Sequence, residues 1–233
     1  MTDDARRTLE GVSTATITTI LLKRGLRNVW MRGTRPIRTE QRRVVGTAFT
    51  LRFVPAREDL ATPASWSSPR STRAAIETMP EGVVVVVDAR GVTNAGVGGD
   101  ILCARMAARG VAGLVTDGVV RDGAGVLSTG LPVWSAGVAA PPSVAGLDFV
   151  GWEEPIGCGG VAVFPGDTIV ADDDGAVVIP AALLAEVLAE APEQERMEAW
   201  IMEEVGRGVP LPGLYPMNEE TRARYEAHKS GAA

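Results

Sequence analysis

Asp100 and the pair Arg121-Asp122 are the residues of this 233-residue chain best suited to chemistry, and what the chain lacks narrows which chemistry. The single histidine, His228, stands in a polar C-terminal stretch, and the lysines, Lys23 and Lys229, stand near the two ends. Unless that tail folds back into a site, imidazole general-base catalysis has no residue to use, and a mid-chain Schiff-base lysine does not exist. The tools that remain are carboxylates, arginines, hydroxyls, backbone amides, water and a metal ion. Asp100 follows the glycine-rich run GVGG at 96–99 and opens a predicted helix. Free N–H groups and a partial positive charge at such a terminus favour an anion. Gly98 and Gly99 let backbone approach a ligand closely. The structural alternative is Asp100 as an N-cap and Asp122 as a turn residue.

The elements that must position these residues read as a β–loop–α–β unit. VVVVVD at 83–88 is a strand buried on both faces, 100–109 is a helix stopped by Gly110, and VAGLVTD at 111–117 is the next strand. A crossover helix implies parallel pairing, which brings the loops after both strands to one edge. The stretch 96–101, GVGGDI, lacks the dinucleotide fingerprint, and no phosphate-loop lysine exists, so nucleotide binding is not indicated.

Elsewhere, 4–24 is predicted helical with a break near Gly11–Ser13, and 43–54 is a strand. A polar connection rich in Pro, Ser and Arg follows at 55–73, then a short helix at 71–78. Long ordered loops are often functional, and Arg57, Arg70 and Arg73 in this one are candidates for holding a distal substrate group. Short strands are expected around 131–134, 148–151, 160–164, 168–171 and 176–179. Turns fall at Pro165-Gly166-Asp167 and Asp172-Asp173-Asp174-Gly175; the acidic run reads as an exposed turn preceding a strand rather than as a metal site. A helix at 181–190 and a second from Pro192 to about Val205 are predicted. No repeat or domain boundary is evident, so 1–233 reads as one domain with a 206–233 arm expected to pack on a neighbouring subunit. The five tryptophans read as core or interface packing.

Hydrophobic residues at 45% and charged residues at 22% are the balance of an ordinary globular protein. A net charge of −6 opposes a nucleic-acid-coating surface. No apolar run reaches membrane-spanning length, and the acidic opening MTDDARRTLE lacks a secretory apolar segment, so no membrane contact and a cytoplasmic location are expected. Cys103 and Cys158 have neither zinc nor redox spacing and read as free and buried.

Asp100, twenty intervening residues, then Arg121-Asp122 resembles the D-x20-R-D motif of the 4-hydroxy-4-methyl-2-oxoglutarate aldolase family, which includes the regulator of ribonuclease E activity A. VVGTAFTL (44–51), GVAGLVTDGVVRD (110–122), CGGVAVFPGD (158–167) and ADDDGAVVIP (171–180) also look like its segments. Two stretches depart from the pattern: 13–25 lacks a mid-segment aspartate, and 57–73 is longer and more basic. The resemblance implies a three-layer β/β/α swivelling-type α/β fold with a C-terminal helical arm. It also implies trimers or dimers of trimers with sites between subunits. Asp122 would then ligate Mg²⁺ (or Mn²⁺), and Asp100 would hold water on the metal and act as acid or base. Arg121 would contact the keto oxygen, and the N–H groups of Ile101 and Leu102 would hold the substrate carboxylate. Glu198 of the neighbouring subunit, or Glu195 next, would reach the metal through water. The implied activity is cleavage of a C–C bond in a 4-hydroxy-2-keto acid through a pyruvate enolate, with oxaloacetate decarboxylation beside it. Without a lysine, a hard cation suits the enolate's negative charge. Two alternatives stand: dehydration of a sugar-derived keto acid, and non-catalytic masking of a ribonuclease. A methyltransferase reading lacks a cofactor fingerprint.

Overall fold

The computed structural model describes residues 1–231. Helices α1 (Asp3–Glu10) and α2 (Thr14–Lys23) break where expected, because Ser13 accepts the Thr16 N–H and starts a new helix. The strands that follow are β1 (Trp30–Met31), β2 (Arg35–Pro36) and β3 (Val44–Pro55). A 3₁₀ turn at Pro63–Ser67 lies inside the long connection, and α3 is Thr72–Thr78. The central unit is β4 (Val84–Asp88), α4 (Asp100–Ala108), β5 (Gly113–Thr116), β6 (Val119–Val120) and α5 (Gly123–Ser128). Next come β7 (Val133–Ser135), β8 (Gly137–Val138), β9 (Leu147–Trp152), β10 (Ile156–Cys158) and β11 (Val161–Val163). The chain closes with β12 (Thr168–Asp172), β13 (Gly175–Ile179), α6 (Leu184–Gly206) and α7 (Glu219–Lys229).

The main sheet runs β1-β13-β12-β3-β4-β5-β7-β2, with β9 also on β3. Its first and last strands are joined by only residues 32–34, a span of roughly 10–14 Å at full extension. The sheet must therefore curl until its two edges stand near each other without pairing, which gives an α/β half-barrel. Strands β3, β4, β5 and β7 are parallel at its centre. All of β4 is buried, and alternation sends Val84 and Val86 into one core and Val85 and Val87 into another. The first core packs α1, α2 and α6 against β12 and β13; the second packs α3 and α4.

One sequence expectation is corrected, and one helix goes beyond what the sequence suggested. The helices predicted on either side of Pro192 are one helix, α6, with the proline inside it. Loss of one N–H at Pro192 is outweighed by packing on both sides of it, Val187 and Ala191 against the first core and Trp200 and Ile201 against the arm. α5 was not anticipated, because its two glycines are poor helix formers. The arm docks on its own α6: Trp200 and Tyr225 lie 5.5 Å apart, and Lys229 and Tyr225 both bond Glu193. Among the described residues, no helix is long and apolar enough to cross a membrane.

Candidate active site

The glycine-rich loop 96–99 is stitched beside β6 as an extra parallel strand. Val97 N–H donates to the Val119 carbonyl at 2.9 Å, and Arg121 N–H donates to the Gly98 carbonyl at 2.9 Å. This pairing, and not proximity in sequence, brings residue 100 next to residues 121 and 122. Close approach requires glycine at two places. A Cβ on Gly99 would stand 2.6 Å from Asp122 Oδ2, and one on Gly125 would stand 2.8 Å from Asp100 Cβ.

Gly98, Gly99, Asp100, Ile101, Leu102, Arg121 and Asp122 all line one cavity of about 240 Å³. Asp100 is the first residue of α4 rather than its N-cap; Gly99 takes the cap position and has no side chain to offer. Asp100 Oδ1 accepts the Ile101 N–H at 2.7 Å, so that amide is engaged, whereas the Leu102 N–H has no acceptor among the described residues. Asp122 takes the cap position of α5 without a side-chain cap bond, in the left-handed region at φ 55° and ψ 45°. Such a conformation is disfavoured for a residue with a Cβ and is held by its surroundings. Its carboxylate is therefore not consumed by the helix it precedes.

Arg121 Nε lies 3.0 Å from Asp122 Oδ2, close enough for an ion pair. The N–H is nevertheless buried and not aligned for a hydrogen bond, so it remains an unsatisfied donor. Leaving such a donor unmet is costly, and an acceptor on a ligand in the cavity would satisfy it. Oδ2 of Asp100 and Oδ1 of Asp122 accept no hydrogen bond from the protein among the described residues. Two carboxylates with free oxygens fit a cation that keeps most of its water, as Mg²⁺ does. They do not make a closed protein cage: no group of three or more acidic, histidine or cysteine ligands occurs among the described residues.

The other candidates lie elsewhere. Asp117 is consumed by the N–H groups of Ala89, Gly91 and Gly159, and burial pushes its pKa up. Glu195 accepts the Ser13 N–H at 2.8 Å, and Glu198 accepts from Gln194 at 2.6 Å, both within the chain. Asp172 is buried, not an exposed turn residue, because Thr14 donates both its N–H and its hydroxyl to it. Cys103 and Cys158 are buried free thiols, and burial raises the Cys103 pKa to about 12. Sequence reasoning missed Trp66, read as packing; it lines the cavity with Arg73, whose guanidinium lies 5.0 Å over its ring. Thr72 and Ser143 complete that wall. The length and basicity of 57–73 were the only signals in the sequence.

A family model described as RraA-like, Aldolase/RraA, matches residues 14–178, more than half of the chain. A protein of Halalkalibacterium halodurans named "Putative 4-hydroxy-4-methyl-2-oxoglutarate aldolase" is 35% identical over 124 residues, 53% of this chain and 58% of that one. The chain spans less than two thirds of the length of the curated relatives it matches. The crystal structure of Streptomyces coelicolor RraAS2, described as an unusual member of the RNase ES inhibitor RraA family, is 34% identical with a TM-score of 0.79, covering 87% of this chain and 98% of that one. An uncharacterized protein from Pseudomonas syringae pv. tomato superposes with a TM-score of 0.81 at 28% identity, over 92% and 94% of the two chains.

Proposed function

The chain belongs to the RraA-like (Aldolase/RraA) family, and from that membership we propose that it is a divalent-metal-dependent lyase cleaving a C–C bond in a 4-hydroxy-2-keto acid. The observation that carries the reading is the cavity at Asp100, Arg121 and Asp122, with two carboxylates left uncapped and a buried Arg121 donor left unmet. Mg²⁺ or Mn²⁺, held by Asp122 with Asp100 beside it, would supply a Lewis acid for the developing negative charge. Arg121 meets the keto oxygen as that charge grows, and its fixed position needs no reorganisation. The Leu102 N–H, at the positive end of α4, holds the substrate carboxylate; Ile101 joins it once its amide is released by Asp100. Asp100 takes the proton of the C4 hydroxyl. The C3–C4 bond then breaks, its electrons pass to the enolate of pyruvate, and a proton returns to C3. Oxaloacetate loses carbon dioxide through the same enolate.

The test is pyruvate release from 4-hydroxy-4-methyl-2-oxoglutarate and oxaloacetate, with Mg²⁺ and with excess chelator. Activity is expected with the metal and none with chelator; full turnover by metal-free protein overturns the reading. We also propose a trimer or dimer of trimers, in which Glu198 of a neighbouring subunit approaches the site. A monomer at micromolar concentration in light scattering contradicts that assembly. The regulator reading is favoured by the likeness to the Streptomyces RNase ES inhibitor relative. A surface that only masks a nuclease has no use for carboxylate oxygens left without protein donors inside a cavity. Inhibition of a ribonuclease undiminished in Asp122→Ala, without keto-acid turnover in the parent, would favour it.

A further inference from the structure

The cavity contains a second guanidinium that the reaction above does not use. Arg73 reaches it from the first turn of α3, and Trp66 from the 3₁₀ turn of the preceding loop. The tryptophan ring covers one face of the guanidinium at 5.0 Å. A stacked guanidinium keeps its edge N–H donors in plane and available, a geometry matched to a carboxylate. No carboxylate among the described residues pairs with Arg73. Of its loop neighbours, Arg57 is engaged by Asp59 at 2.6 Å, and Arg70 does not line this cavity. Two cationic groups in one concavity, Arg121 beside the acidic pair and Arg73 beside Trp66, favour a ligand with two separated negative charges. The hydroxyls of Thr72 and Ser143 lie in the same wall and can share the acceptor.

We propose that Arg73, oriented by Trp66, determines specificity by binding a second carboxylate at the end of the substrate remote from its keto group. The proposal rests on the lyase reading for the keto-acid end, but its signature is a binding preference that needs no turnover. Isothermal titration with Mg²⁺ present compares 2-oxoglutarate with 2-oxopentanoate, which replaces the terminal carboxylate by a methyl group. The parent protein is expected to bind the dicarboxylate about tenfold more tightly or better, the worth of one charge-assisted contact. Arg73→Ala should reduce that preference to about twofold or less while 2-oxopentanoate binds as before. Trp66→Leu should lower the preference part of the way, and Arg70→Ala should preserve it. No preference in the parent, no binding of either acid, or equal weakening of both by Arg73→Ala overturns the proposal. Preference without any lyase activity removes only the reaction; lyase activity without preference removes only this subsite.

Discussion

Two turns of this molecule carry aspartates beside helix starts, and the structure treats them oppositely. At the hairpin between β12 and β13, Asp172 is saturated: it accepts from the Thr14 N–H at 2.9 Å, the Thr14 hydroxyl at 2.7 Å and the Asp174 N–H at 3.1 Å, with Arg43 3.5 Å away. At the cavity, Asp100 and Asp122 keep oxygens without protein donors, and Asp122 is held in a disfavoured backbone region. The residue type is the same, and the difference is the supply of partners. A saturated carboxylate contributes to stability and is spent; an unsaturated one contributes little to stability and is available to a ligand.

The largest effect that could break this comparison is a crossed pair of substitutions. Asp122→Ala should lower metal-dependent turnover by roughly 10³-fold or more, since it removes the expected metal ligand, and leave the melting temperature nearly unchanged. Asp172→Ala should do the reverse, costing about 2–4 kcal/mol because the Thr14 donors are left buried and unmet. Activity per folded molecule should be retained in the latter. Turnover assays and denaturant titrations on both variants decide it, and equal destabilisation by the two would erase the distinction.

A smaller effect sharpens the role of the cavity arginine. Arg121→Ala should reduce kcat by roughly 10²-fold, the loss typical for one electrostatic contact made in the transition state, with a lesser change in KM. A variant that folds and keeps the parent kcat takes Arg121 out of the chemistry.

The smallest effect concerns a third, wholly structural carboxylate. Hydrogen bonds from Lys229 first and Arg196 next hold the Glu193 pKa down to about 2, below its ordinary value of 4.5. A depressed carboxylate contributes its full stabilisation above the ordinary value and loses it as pH falls through the folded one. The hold of Glu193 on α7 should therefore be complete at neutral pH and weaken on acidification from about pH 4.5 toward 2. Because these side chains are well exposed, the loss should be slight and sensitive to salt. Hydrogen exchange in α7, corrected for intrinsic rates, should show protection falling over that interval, and Glu193→Gln should flatten the change. Unchanged protection in the parent would show that the apolar contacts of Trp200 and Tyr225 suffice.

Much of this was legible in the sequence. Alternation and turn residues located the parallel strands, the helix opened by Asp100 and the hairpin at 172–175, since each signal is local. Local signals failed where distant packing decided. Pro192 ends a helix by its own chemistry, yet α6 continues because contacts on both sides hold it. The glycines at 123 and 125 argue against a helix, but at 125 only a residue without a Cβ fits against Asp100.

The sequence by itself determined the α/β class, the family, the candidate residues Asp100, Arg121 and Asp122, and the absence of lysine or histidine near them in the chain. These follow from residue types and spacing, which do not depend on where the chain travels. Only the tertiary structure decided which carboxylates stay free. Asp172 and Asp117 are the same residue type as Asp100 and Asp122, and their fate depends on whether Thr14 or the amides of Ala89, Gly91 and Gly159 arrive from far along the chain to use them. Among three arginines of one loop, it likewise singled out Arg73, because Asp59 engages Arg57 and, of the three, Arg73 lines the cavity with its guanidinium over the ring of Trp66. Partner supply is a property of space, and spacing along the chain does not encode it.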